Sequence, residues 1–166
     1  MENITFRGTP IKLKGNFPKI GQTIQNFTLT GTDLTDVDLN SFGQKRKVLN
    51  IFPSIDTGVC ATSVRTFNQK ASSLDNTVVL CISADLPFAS GRFCAAEDIK
   101  NVTTLSTFRY PEFLTDVGVL VDTLPIKGLA CRAVIVLDSN NQVLYAEQVE
   151  EIANEPNYEA ALSILS

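Results

Sequence analysis

The chain of 166 residues contains no histidine. Without an imidazole, Cys–His nucleophile pairs, Ser–His–Asp triads and histidine-based metal sites are excluded, and any acid or base must come from another side chain. Basic clusters are almost as scarce. Fourteen Lys and Arg against eighteen Asp and Glu leave a net charge of −4, and only Lys45-Arg46-Lys47 forms a run. A solvated loop before a strand explains that triplet, and a nucleic-acid backbone is excluded as a partner because it is bound through clustered cations. No stretch reaches the roughly 20 apolar residues of a membrane-spanning helix. Met1 to Lys14 lacks the basic start and apolar core of a secretion signal, so cytoplasmic residence with no membrane partner is expected. No two cysteines stand as C-x-x-C, which disfavours a zinc site, and four in a chain of this length are too few for a disulfide scaffold. In a reducing compartment such cysteines are either filler or reactive thiols.

What is present is an ordinary globular composition, with 44% hydrophobic residues and no repeat or linker. A single domain over residues 1–166 is expected. Ile4-Thr5-Phe6 and Ile11-Lys12-Leu13 alternate on either side of Arg7-Gly8-Thr9-Pro10, so residues 1–15 read as an N-terminal hairpin, which two strands alone could not sustain unless packed on the body. Val48–Phe52, Val78–Ser83 and Ala133–Leu137 are short, β-branched and without polar alternation, as central strands buried on both faces are. Val143–Gln148 follows across the polar turn Asp138-Ser139-Asn140-Asn141. Helical spacing begins near Cys60, with Val64 and Phe67 on the same face; a second helix runs from Pro87 to about Lys100, and a third from Glu155 to Ser166 turns Ala161, Leu162 and Ile164 inward. The class is α/β, with a central mixed β-sheet flanked by helices.

The chemistry concentrates in Asn50-Ile51-Phe52-Pro53-Ser54-Ile55-Asp56-Thr57-Gly58-Val59-Cys60-Ala61-Thr62-Ser63. A buried strand runs into a turn, a helix starts around Thr57 to Val59, and Cys60 falls in its first turn. Free backbone N–H groups and the positive end of the helix dipole favour an anion there, which draws a thiol toward the thiolate. Thr57 either caps the helix or turns its hydroxyl toward the sulfur. Arg132, permanently charged and forked, either pairs at the surface or supplies a cation to a site. Cys81, within Val78-Val79-Leu80-Cys81-Ile82, reads as a small buried hydrophobe.

Pro53, Thr57 and Cys60 have the P-x-x-x-T-x-x-C spacing of peroxiredoxins, and the longer string from Pro53 to Asn68 resembles their bacterial thiol peroxidase subgroup. The resemblance continues through Ser83-Ala84-Asp85-Leu86-Pro87-Phe88-Ala89, Arg92-Phe93-Cys94 and Lys127-Gly128-Leu129-Ala130-Cys131-Arg132-Ala133, and so covers nearly the whole chain. It implies a thioredoxin-like fold, reduction of hydrogen peroxide and organic hydroperoxides, recycling by thioredoxin, and a homodimer. It also implies that Cys60 attacks the peroxide and Cys94 resolves it as an intramolecular disulfide, with Pro53 shielding the sulfur, Thr57 hydrogen-bonding it and Arg132 supplying the positive charge. Cys131 departs from the small residue usual before that arginine, and strand alternation sends it to the face opposite Arg132.

A thiolate attacking an O–O bond leaves charge on the departing oxygen, so donors that grip both oxygens stabilise the transition state. The resulting sulfenic acid condenses with a second thiol to give a disulfide and water. Because a disulfide requires Cα atoms roughly 4.4–6.8 Å apart, cysteines on separate helices can join only if a helix end unwinds. Ser90-Gly91 makes the Pro87–Ala96 segment the expected place for that rearrangement, since glycine inside a helix costs about 1 kcal/mol relative to alanine. Phe52, Ile55 and Phe88 would tolerate an apolar substrate. No metal, haem or flavin is indicated. A disulfide oxidoreductase would need cysteine at position 57, where threonine stands. A redox sensor or holdase using the same Cys60–Cys94 switch is the reading from another class.

Overall fold

In a computed structural model that describes residues 3–165, the β-branched runs form the middle of a seven-stranded sheet. In chain order the elements are β1 (Thr5–Phe6), β2 (Thr9–Pro10), β3 (Leu13–Lys14), β4 (Thr28–Gly31), β5 (Asp36–Asp38), β6 (Arg46–Ile51), α1 (Gly58–Ala71), β7 (Thr77–Ser83), α2 (Pro87–Ala96), β8 (Thr103–Ser106), α3 (Glu112–Asp116), β9 (Leu120–Val121), β10 (Ala133–Leu137), β11 (Val143–Gln148) and α4 (Tyr158–Ser163). Met1, Glu2 and Ser166, which fall in the expected hairpin segment and final helix, lie outside the described residues.

The sheet runs β11-β10-β6-β7-β8-β4-β5. β6, β7 and β8 are parallel, while β10 and β4 join them antiparallel on either side, so the sheet is mixed as expected. The β10–β11 hairpin has the bounds the apolar pattern set. Side-chain alternation divides the core in two. Cys131, Ala133, Ile135 and Leu137 pack on one face with α3 residues Phe113 and Leu114, and Val134 and Val136 pack on the other with Cys60, Val64 and Phe67 of α1. No helix among the described residues is long and apolar enough to cross a membrane.

Four expectations need correction. The N-terminal hairpin is tighter than the alternation suggested: Thr5 pairs with Pro10 and Phe6 with Thr9, and Leu13–Lys14 pairs with β9 instead. Arg7 and Gly8 both take positive φ, 51° and 81°, which is the two-residue turn whose twist matches that of its strands. Second, of the basic triplet only Lys45 is solvated. Lys47 lies in β6, fully buried, and donates to the Gly43 carbonyl at 3.0 Å, while Arg46 is half-buried and donates to the carbonyls of Leu165 and Asp75. Third, α2 ends at Ala96 because Asp98 takes φ 55° and turns the chain away. Fourth, the last helix starts at Tyr158 behind an Asn157 cap; Ala161 and Leu162 turn inward as expected, but Ile164 faces out and Leu165 is buried in its place.

The hairpin is packed on the body, as two strands require. Ile4 and Ile11 enter the core, and Glu151 accepts from the Arg7 and Gly8 amides at 3.1 and 2.8 Å and from the Thr5 hydroxyl at 3.0 Å. Partial burial raises the Glu151 pKa, but the amides of Ala153, Gly8 and Arg7 and the Thr5 hydroxyl outweigh it and bring the carboxyl to about 2. A depressed carboxylate stabilises the fold above its unfolded value, and that contribution fades as pH falls toward the folded value. Thermal stability between pH 4.5 and 2 is therefore expected to fall less steeply in Glu151→Gln than in the native chain; parallel pH profiles would contradict the assignment.

Candidate active site

β6 and β7 end side by side, and the chain leaving β6 crosses the top of the sheet through Phe52 and Pro53, both buried, before α1 begins. Thr57 sits at the N-cap with extended backbone, and the first intrahelical bond runs from the Ala61 amide to the Thr57 carbonyl at 3.0 Å. The amides of Gly58, Val59 and Cys60 thus lack a carbonyl one turn back and crowd the sulfur end of the helix. Cys60 is 0% exposed.

Arg132 reaches the same point from the opposite strand. β10 is antiparallel to β6 with Ala133 beside Ile51, so the residue before β10 lies against the exit of β6 toward Cys60. Its side chain is 2% exposed. Nε donates to the Ile152 carbonyl at 2.7 Å, Nη2 donates to Cys60 Sγ at 3.2 Å, and Nη1 is buried with no partner. Among the described residues no carboxylate forms an ion pair with this guanidinium. An uncompensated buried ion costs several kcal/mol, and the side-chain group that faces this one is Cys60 Sγ.

Thr57 behaves differently from the expectation that its hydroxyl would bond the sulfur. Oγ1 donates to the Ser54 carbonyl at 3.1 Å, so in this structure Thr57 shapes the turn before the helix and leaves the sulfur to Arg132. The turn has a second anchor that the sequence did not disclose. Asp85 accepts from the Ser54 hydroxyl at 2.7 Å, the Ile55 amide at 2.7 Å and the Ser83 hydroxyl at 2.6 Å, and its own carbonyl accepts from Ser106. One carboxylate therefore ties the loop before Cys60 to the end of β7 and the start of α2. A lone Asp before Leu-Pro reads locally as a helix-start signal, and nothing in its spacing reveals that its partners lie thirty residues upstream.

All four cysteines are free thiols. Cys60 is on α1 and Cys94 on α2, and Cys94 is half-buried, its pKa raised by burial with partial relief from a Thr104 hydrogen bond. Cys81 and Cys131 are both pushed up to about 12 by burial. Cys131 packs on the far face of the sheet, as strand alternation requires. Beneath the site Asn50 donates to Ser63 Oγ at 3.2 Å, and Ser63 donates to the Cys60 carbonyl at 2.8 Å. α2 is lightly held. Neither end carries a side-chain cap or a dipole-matching charge, and its ties to the Cys60 side include two surface pairs, Arg92–Asp56 at 3.0 Å and Arg65–Glu97. Of the apolar residues expected near a substrate, Phe52 and Ile55 are buried, and Phe88 on α2 is 68% exposed. Among the described residues no cluster of three or more Cys, Asp or Glu is gathered as metal ligands would be.

Comparison with known proteins places this geometry among relatives. The Redoxin family model matches residues 19–162. A thiol peroxidase of Corynebacterium glutamicum is 51% identical over all 166 residues, covering 100% of both chains. A peroxiredoxin-like protein from Aquifex aeolicus superposes with a TM-score of 0.92 at 33% identity, over 99% of this chain and 96% of that one. A thiol peroxidase from Chromobacterium violaceum shares the fold, with a TM-score of 0.91 at 24% identity over 98% and 94%. The fold is thioredoxin-like.

The Asp85 anchor makes a measurable claim. In Asp85→Asn an amide N–H faces the Ile55 N–H in place of an acceptor, and loss of a charged hydrogen bond costs about 2 kcal/mol. We expect a stability loss of that size, read by denaturant titration, together with a slower reaction of Cys60 with peroxide. Unchanged stability and unchanged rate would refute the anchor.

Proposed function

We propose, from the premise that the chain belongs to the Redoxin family, that Cys60 is its attacking thiolate and Arg132 the donor that activates and orients the peroxide. Thiol-dependent peroxide reduction is the activity of this protein. The reading of the residues rests on one observation: a buried guanidinium whose Nη2 lies 3.2 Å from Cys60 Sγ and whose Nη1 is unengaged. Nη2 steadies the sulfur and Nη1 is free to donate to a peroxide oxygen, so one rigid fork addresses both partners of the bond that forms.

The first step forms a sulfur–oxygen bond and breaks the O–O bond. Cys60 sulfur supplies the electron pair and becomes a sulfenic acid, and the second oxygen departs as alkoxide or hydroxide and takes up a proton to leave as alcohol or water. Developing charge on that oxygen is met by the guanidinium and by the first-turn amides of α1, donors fixed before the substrate arrives. Cys60 is fully covered, so the peroxide reaches the sulfur only as side chains over it move aside. Pro53 keeps bulk water from the sulfur, and Thr57, at the N-cap three residues before Cys60, takes part in binding the peroxide.

The second step joins Cys60 to Cys94 and releases the sulfenic oxygen as water. The two thiols belong to different helices, so α2 must unwind, and the absence of a side-chain cap at either end and the glycine at position 91 support that. Two electrons and two protons from a dithiol reductant, assigned as thioredoxin, then restore both thiols. The remaining assignments follow the resemblance: one domain, a homodimer, and a reducing cytoplasmic setting in which free thiols persist.

Peptide mapping after one equivalent of hydrogen peroxide is expected to recover Cys60 linked to Cys94, with faster amide exchange over Pro87–Ala96 than in the reduced protein. Cys60→Ser is expected to abolish turnover of cumene hydroperoxide with thioredoxin and its reductase. A disulfide through Cys81 or Cys131, or turnover by Cys60→Ser, would overturn the mechanism.

A further inference from the structure

The N-terminal hairpin takes no part in the reaction above, yet its hydrogen bonds end one peptide away from the guanidinium. Val149 to Ile152 leaves the sheet after β11 and closes over Arg132, whose Nε is held by the Ile152 carbonyl at 2.7 Å. Within that segment the Ile152 side chain is buried in the core, the Val149 amide donates to the Arg132 carbonyl at 2.9 Å, and the backbone between them is held by the hairpin. The Thr5 amide donates to the Glu150 carbonyl at 2.7 Å, and the Ile152 amide donates to the Thr5 carbonyl at 2.9 Å. Between these two bonds Thr5 pairs with Glu151, whose carboxylate accepts from Thr5 Oγ1 and from the Arg7 and Gly8 amides of the turn. The Ala153 amide donates to the same carboxylate at 2.8 Å, which folds the segment back on itself.

We infer that the β1–β2 hairpin is a positioning device for Arg132, acting through Glu151 and the Ile152 carbonyl, and that Glu151 is a positioning residue for peroxide reduction. This rests on the reading of Arg132 as the cation that orients sulfur and peroxide. The Ile152 peptide is pinned from both sides, its N–H bonded to the hairpin and its carbonyl bonded to the arginine. The hairpin is in turn fixed by Ile4 and Ile11 in the core. A guanidinium on a flexible stem has three nitrogens to aim, and with Nε anchored the other two point in set directions. Release of the hairpin removes the bond to the Ile152 amide while its side chain stays in the core, so the Ile152 carbonyl can tilt, and Nη1 and Nη2 swing with Nε. A displacement near 1 Å in such a site can cost about 100-fold in rate.

The test is a double-mutant cycle on the full-length reduced protein, read as the second-order rate constant of Cys60 oxidation by hydrogen peroxide. Glu151→Gln keeps the side-chain volume but presents an amide to donors that need an acceptor, and is expected to slow the reaction by about 10-fold while far-UV circular dichroism is unchanged. Gly8→Val reaches the same device from the turn, where φ of +81° disfavours any side chain, and is expected to act in the same direction. In an Arg132→Met background neither change should slow the reaction further, because the group they position is gone. A loss of the same factor in both backgrounds assigns Glu151 a purely structural role and overturns the inference. Full activity of folded Glu151→Gln also overturns it while leaving Arg132 in place. Full activity of Arg132→Met instead removes the reading of the site itself, so the two failures are distinct.

Discussion

A guanidinium buried without a carboxylate is the constraint around which this molecule is arranged. Arg132 is 2% exposed, and the charge it carries must be answered by something within hydrogen-bond reach. The structure offers Cys60 Sγ to Nη2 and the Ile152 carbonyl to Nε, and leaves Nη1 unengaged. The fold serves that contact from several directions. Antiparallel pairing of β10 with β6 places Arg132 at the exit of β6, the loop behind Phe52 and Pro53 turns the chain into α1, and the first turn of α1 delivers sulfur and free amides together. An electrostatic need and a sheet register thus select the same residue.

The site combines a stiff half with a yielding half. Sulfur, guanidinium and loop are fixed by buried groups: Asp85 on Ser54 and Ile55, Ser63 on the Cys60 carbonyl, Ile152 on Arg132. α2, which carries Cys94, has no side-chain cap at either end, a glycine in its middle and exposed Leu86 and Phe88 at its start. Attack on an O–O bond needs the first kind of construction, because donors must be aimed before charge develops. Closure of a disulfide between two helices needs the second. Asp85 stands at the join, directly before α2, so the cycle can unwind the helix without releasing the loop.

Much of this was legible in the sequence, for identifiable reasons. β10 and β11 emerged at their observed bounds because an unbroken β-branched run and a polar turn admit one reading. Cys60, Val64 and Phe67 fell on one face of α1 because their spacing is that of a helix. Cys131 and Arg132 were assigned opposite faces from alternation alone, and Cys131 packs in one core cluster while Arg132 reaches Cys60 of the other. What stayed hidden lacked a local signature. β8 is Thr-Thr-Leu-Ser, in which Thr104 and Ser106 are buried polar residues, Ser106 satisfied by a hydrogen bond to the Asp85 carbonyl. Lys47 looked solvated because its buried acceptor is a loop carbonyl. Asp85, Glu151 and the Ile152 carbonyl act on residues far along the chain, and the Thr57 hydroxyl turns to the Ser54 carbonyl of its own loop.

If the buried guanidinium is answered by sulfur, that sulfur carries a negative charge at neutral pH. The difference in ultraviolet thiolate absorbance between the reduced protein and Cys60→Ser reads this directly, since the Cys81 and Cys131 thiols are held protonated by burial. The account predicts a thiolate signal near pH 7 that vanishes when Arg132 is replaced by methionine. Absence of that signal in the native chain, or its persistence in Arg132→Met, would contradict it.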